Sequence, residues 1–544
     1  KTSINAENPP PSPPWLAPFK WTVTAVAAGG LAAYLAFQWF NQRLGLRMGV
    51  VYTWTGDYRW VSLLSVRLIL SWLGAAAALL ALMDLWPAAL RPRGRVARWL
   101  TTGGVLTWTL ALATMQWTGD YKLDWVWTLV TATVGMGGAY FLTWRPADRP
   151  HLARLGDALE HGRSWAPWGA LLTLGAACLY VLGRQTIFLG QPIMTDSQSQ
   201  IAQARLLLSG HWTLDVPQAL RDVIAFPYAI GRVPSYAQYP PGHIFLLMPA
   251  LALGLAPQTL NTVAGALTAL ATVTLARRLE GRTTALATGL LMLGSPLLLM
   301  MNSSAMNHST ACLELWVAAW CFMPSPAGAQ ERPAPRERAL AALGGLALGW
   351  AAMTRPLTAL AHGLVWAAVW TTLMIQALRR RGPARPSPEP SAGRLLGQFG
   401  AALAGLLPAA VLFLIYNAQT TGHPLLLGYE VSNPQLHRLG FSATAGPGEI
   451  RYAPLDAVNS LASDLTALNW ELTGLAIGSW TLLLIWWMRT RLPRHQAILM
   501  GLILSQTLFY KLYHFHDLFF GPRFLFEIAP ALVLLAGAGL GRGG

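Results

Sequence analysis

A carboxylate can take a proton from a hydroxyl, and a guanidinium or ammonium can hold a phosphate, so charged residues at the ends of apolar runs are weighed first. Asp196 is a solitary acid just past a hydrophobic run, at the head of TDSQSQIAQARLLLSG. YAQYPPGH follows within a loop of roughly fifty residues, and long, chemically mixed loops carry function. Its chemistry would be that of a general base, and its structural alternative is an N-cap for the amphipathic stretch 197–208. Arg355, in the short turn TRP, offers a permanently charged fork to phosphate oxygens, or else a lipid-headgroup anchor. Lys511 and Arg523 bracket YHFHDLFFGP and are placed either to complete a cationic site or to snorkel at an interface.

Around these charges stand candidates for a substrate pocket. Gln203 and Arg205 follow Asp196 on the amphipathic stretch, and Tyr236, Gln238, Tyr239 and His243 surround Pro240-Pro241, a pair that also suits a first helical turn. Asn307, His308, His514, His516 and Asp517 complete the set. His-x-His-Asp in one turn without a distant third ligand is a weak metal signal, so no metal ligand is assigned, while a divalent cation stays open as a cofactor. A second long loop carries His423, Tyr429, Glu430, Asn433, His437 and Arg438, residues suited to a lid or to acceptor selection.

Apolar runs must hold these groups in place. Of 544 residues 54% are apolar, 11% are charged and 25 are Trp, more than a water-exposed surface tolerates. Runs near the ~20 residues that cross a bilayer recur from Trp21 to Leu540, with Trp at their ends. The fold class is therefore an all-α polytopic membrane protein. Its net charge of +16 sits mostly on Arg in short loops, which marks topology and anionic-lipid contact rather than a nucleic-acid face. Cys178, Cys312 and Cys321 lie in apolar runs without metal-ligand spacing, so neither a disulfide nor a Cys-bound metal is expected.

Placing the basic clusters 91–98, 145–154, 277–282, 332–338, 379–394 and 489–494 in the cytoplasm gives a consistent topology. Spans fall near 18–40, 61–86, 99–117, 124–144, 166–189, 258–276, 283–301, 304–323, 339–353, 357–378, 395–416, 472–488, 495–510 and 521–541, about fourteen transmembrane helices. The stretch 244–255 is too short to cross and is expected as an interfacial or re-entrant segment. Loops 190–257 and 417–470 then lie outside the cytoplasm, level with Arg355 and with 510–523. Residues 1–17 read as a disordered cytoplasmic tail, 18–160 as an accessory four-helix transmembrane region, 161–544 as the core and Pro-rich 379–394 as a flexible cytoplasmic linker. In the accessory region WTGDYRW (54–60) recurs as WTGDYKLDW (117–125), a pattern that suits an interfacial turn better than a binding site.

Four stretches in order, TDSQSQIAQARLLLSG, YPPGHIFLLMPALALG, LALGWAAMTRPLTAL and HFHDLFFGPRFLFEIAPAL, resemble the polytopic GT-C glycosyltransferases. The resemblance is to the bacterial family 39 branch, related to protein mannosyltransferases and aminoarabinose transferases. It covers roughly two thirds of the chain and leaves out the first four helices. It implies a GT-C-like core in the bacterial inner membrane, with a long first extracytoplasmic loop. The implied activity moves a sugar, with inversion, from a polyprenyl-phosphate donor to an extracytoplasmic glycan, lipid or protein. Asp196 matches the family's loop acid, and the usual Asp-Glu pair is here Asp196-Ser197. The implied partners are membrane lipids, the donor and the acceptor, with no nucleic acid. The alternative is a non-catalytic glycosyltransferase-like subunit that binds lipids or braces a membrane complex, with a protein partner on the first four helices. A transporter fits less well, because charges cluster in loops and no matching inverted halves are seen.

Overall fold

The computed structural model describes residues 164–217, 229–230, 235–324, 333–379, 391–442, 451–475 and 478–541. The tail, the accessory region 18–160, the WTGDY pair and most of the linker lie outside the described residues. Within a bilayer each backbone polar group must be paired inside its own segment, so apolar runs fold as helices. In chain order these are α1 (Ala166–Thr186), α2 (Thr195–Leu208), a small antiparallel pair β1 (Ala229–Ile230) and β2 (Tyr236–Ala237), and α3 (Pro241–Ala252). Next come α4 (Gln258–Glu280), α5 (Arg282–Leu293), α6 (Pro296–Ser303), α7 (His308–Phe322), α8 (Ala334–Thr354), α9 (Pro356–Arg379) and α10 (Ala392–Thr421). The chain ends with α11 (Gly428–Ser432), α12 (Pro454–Glu471), α13 (Ser479–Arg489), α14 (Arg494–Lys511), a 3-10 helix (Arg523–Ile528) and α15 (Ala529–Gly541).

Among the described residues five helical runs are long and apolar enough to cross a membrane, or six if the bent pair α5–α6 is one span. The chain is an integral membrane protein. Among the described helices the last is the most enclosed, buried along 529–539 and packed against α4, α5 and α13. Elsewhere α8 lies along α10, where Gly345 and Gly405 each sit so close to a backbone carbonyl of the other helix (Ala402, Ala342) that a Cβ would clash. The outward face of α10, with Leu396, Leu403 and Leu407, is exposed, as a lipid-facing surface should be.

Two expected spans are not single helices. The run 283–301 breaks at Gly294-Ser295-Pro296, where Pro296 opens α6 without an amide donor, Ser295 caps the Leu298 N–H, and the axis turns by 62°. The run 472–488 becomes helical only at Ser479–Arg489, eleven residues, because Gly474 and Gly478 hold positive φ before it. The loop 417–470, expected outside the cytoplasm, contains α11 and most of α12. The stretch expected as interfacial or re-entrant is the 12-residue apolar α3.

The order of the helices gathers the head of α2, the α8–α9 turn, the end of α14 and the start of the 3-10 helix at one end, where the contacts described next join them. At the other end Arg278 donates to the Trp320 and Met323 carbonyls, both at 3.0 Å, and Glu280 meets His495 at 2.5 Å.

Candidate active site

Arg355 is fixed by the residue after it. A residue before proline is driven into extended backbone, so α8 stops at Thr354, Arg355 turns at φ −143° and ψ 85°, and Pro356 opens α9. The guanidinium Nε lies 3.1 Å from Glu527 Oε1 of the 3-10 helix. Nη2 donates to the Tyr510 hydroxyl at 2.8 Å, and that hydroxyl is 2.6 Å from Thr358 Oγ1. Nη1 donates to His308 Nε2 at 2.9 Å, so the proton of the neutral ring stands on Nδ1, which donates to Glu527 Oε1 at 3.2 Å. Gln506 donates to Glu527 Oε2 at 2.9 Å and accepts from His362 at 2.8 Å. Glu527, fully buried, is thereby satisfied on both oxygens.

Arg523 opens the 3-10 helix after Gly521-Pro522. Gly521 holds φ +81° against the Glu471 carboxylate, where a Cβ would clash, so this turn requires glycine. Arg523 Nε donates to Asp517 Oδ1 at 2.7 Å and Nη2 donates to Oδ2, a bidentate fork. Nη1 donates to Asp196 Oδ2 at 2.7 Å. Asp196 lies in the first turn of α2 and does not cap it, since the N-cap is Met194 without a side-chain bond. Both guanidiniums lie 5.3 Å from the Phe524 ring centroid, which places the two ion-pair groups beside one aromatic ring.

The third cation has its own partners. Lys511 Nζ contacts Asp464 Oδ2 at 2.5 Å and Ser460 at 2.8 Å, and His516 Nε2 lies 2.8 Å from Asp464 Oδ1. Burial alone would push the Asp464 carboxyl up, but His516 and Lys511 hold it below its ordinary range. Rings close over the cluster from the 428–442 segment: Tyr429 meets Tyr239 edge-on at 5.6 Å and stacks obliquely on His437 at 4.6 Å. Burial pushes the Tyr239, Tyr429 and Tyr513 hydroxyls up and His437 down to about 4, so all stay neutral near pH 7.

The structure thus brings Asp196, Asp517, Arg523, Arg355 and His308 together, with Tyr239 beside them. It does not bring in the rest. Gln203 ties α2 to the Trp212 carbonyl and the Ala237 amide at 2.8 and 2.9 Å, and Arg205 is exposed. Tyr236 and Gln238 are buried in and beside the β-hairpin. His243 is fully buried against Thr310 and the Ala305 carbonyl, Asn307 reaches the Thr354 carbonyl at 3.5 Å, and His514 bonds the Gly440 carbonyl at 2.9 Å. Among the described residues no three His, Cys, Asp or Glu converge as metal ligands. Glu527, Tyr510, Phe524, Gln506 and Asp464 were not singled out in the sequence. Glu527 had a signal, since a lone acid in the apolar run FLFEIAPAL is functional by default.

No family model matches the chain, nor does any curated protein. Solved structures do. ArnT from Cupriavidus metallidurans bound to undecaprenyl phosphate is 16% identical with a TM-score of 0.46, over 70% of this chain and 61% of that one. The oligosaccharyltransferase AglB from Archaeoglobus fulgidus, in complex with an inhibitory peptide and a dolichol-phosphate, is 14% identical with a TM-score of 0.36, over 69% and 50%. The chain spans less than two thirds of the length of either. Likenesses of this strength carry no inference about activity, which rests on the charged cluster.

Proposed function

We propose that the protein is a membrane glycosyltransferase that moves a sugar from a polyprenyl-phosphate donor to an extracytoplasmic glycan, lipid or protein, in a bacterial inner membrane. The observation that carries the reading is the contact of Asp196 with Arg523, beside Arg355 on the same Phe524 ring. A base and two cations at one end of a helical bundle are what displacement of a lipid phosphate from a sugar requires. The acceptor oxygen bonds to the anomeric carbon from the side opposite the phosphate, its proton passes to Asp196, and the carbon–oxygen bond to phosphate breaks with its electron pair leaving on the phosphate. Arg523 receives that charge. Arg355, paired with Glu527 and enclosed by His308 and Tyr510, stands beside Arg523 without releasing its partners. Lys511, tied to Asp464, holds the outer segment in place. The extracytoplasmic placement rests on the Arg-rich loops at the opposite end of the bundle.

One observation favours a second reading, a non-catalytic subunit of the same fold. Ser197, in the position of a second acid, is fully buried. Release of polyprenyl phosphate from a panel of polyprenyl-phosphate sugars by the purified protein separates the two. Asp196→Asn should reduce release at least about a hundredfold, the scale of losing a general base. Equal release by that variant, or none by the wild type with any donor, would count against the enzyme.

A further inference from the structure

Counting the paired charges of the site raises a difficulty for any anionic ligand. Arg355, Lys511 and Arg523 are its cations, while Asp196, Asp464, Asp517 and Glu527 are its carboxylates, so each cation already has a carboxylate on it. A phosphate entering such a cluster meets no uncommitted cation, so a resident carboxylate must give way. The four differ in how easily they can leave. Glu527 is 0% exposed and has both oxygens bonded, and Asp464 is 2% exposed between Lys511 and His516. Moving either out would strand a buried cation. Asp196 and Asp517 are 15% and 27% exposed, so water can solvate them as they detach. Both sit on one guanidinium.

We infer that Asp196 and Asp517 occupy, on Arg523, the positions that the oxygens of a polyprenyl phosphate take, and that phosphate binding displaces them. This rests on the functional reading above and deepens it. Asp517 holds the fork Nε and Nη2, the geometry that a phosphate accepts equally well, and Asp196 holds Nη1. Displacement by the lipid phosphate frees Oδ2 of Asp196 beside the arriving anion.

The test measures binding of a long-chain polyprenyl monophosphate to the purified protein in lipid nanodiscs. Removing a competing charge beside the anion should tighten binding, so Asp196→Asn and Asp517→Asn are each expected to bind roughly tenfold tighter than wild type. Arg523→Gln should bind at least about tenfold more weakly. Tightening cannot arise from misfolding. On the wild type itself, a water-soluble carbodiimide should modify Asp196 faster once the lipid phosphate is added. Unchanged or weaker binding by both Asn variants, or labelling indifferent to the lipid, overturns the exchange, as does a wild type that binds no polyprenyl phosphate. Sugar transfer assayed on the same preparation keeps the two claims apart: transfer without tightening leaves the enzyme and removes the exchange, while tightening without transfer does the reverse.

Discussion

Glu527 shows most plainly what a single residue does here. Among the described residues it is the one carboxylate that pairs with Arg355, and it also receives His308 and Gln506. Removing one member of a buried ion pair leaves the other uncompensated, at about 3–5 kcal/mol. Glu527→Leu should therefore lower stability by that amount in detergent, measured by thermal unfolding, and adding Arg355→Met should restore most of it. Glu471 gives a pH dependence. Burial pushes its carboxyl from 4.5 up to about 7, so the folded protein binds more protons than the unfolded chain between those values. The stability it contributes is full below 4.5 and is lost as pH rises through about 7. Glu471→Gln should flatten that decline, seen as a smaller difference in melting temperature between acidic and alkaline buffer. At this scale the sequence was partly legible. A solitary acid after an apolar run and an arginine before proline announce themselves, but the pairing of Asp196 with Arg523 joins residues 327 apart and has no local signature.

Helices were more legible than their breaks. Apolar length located α1, α4, α9 and α10, because a bilayer-length run has few other ways to pair its backbone. The division of 283–301 into α5 and α6 was written in Gly-Ser-Pro, yet hydropathy alone passes over it, since 296–301 is wholly apolar. The shortening of 472–488 to α13 follows from two glycines at positive φ, a backbone requirement that mean hydropathy does not register. Close packing of α8 on α10 sets where the α8–α9 turn, and with it Arg355, comes to rest. Gly345→Val would drive a side chain into the Ala402 carbonyl. We expect a loss of about 1–3 kcal/mol in stability, the cost of overpacking. Transfer activity should fall along with it, because Arg355 sits at the end of the displaced helix.

Among the described residues the ion pairs lie at two ends with different characters. One end joins α4 to α14 through Glu280 and His495, and α8 to α10 through Glu337 and Arg394, links that serve packing. The other end draws acids and bases from α2, the α8–α9 turn, α12, α14 and the 3-10 helix onto Phe524 and its neighbours, and it combines a partly exposed carboxylate with two arginines. Resemblance in four short stretches pointed to this end, and the folded chain adds the partners that hold it. The most direct measurement is a density map of the protein with a polyprenyl phosphate in lipid. The account predicts an elongated density that ends with its phosphate within about 3 Å of Arg523, beside Arg355 and Asp196. A phosphate bound at the Glu280–His495 end, or an Asp196–Arg523 cluster left closed with the lipid elsewhere, would contradict it.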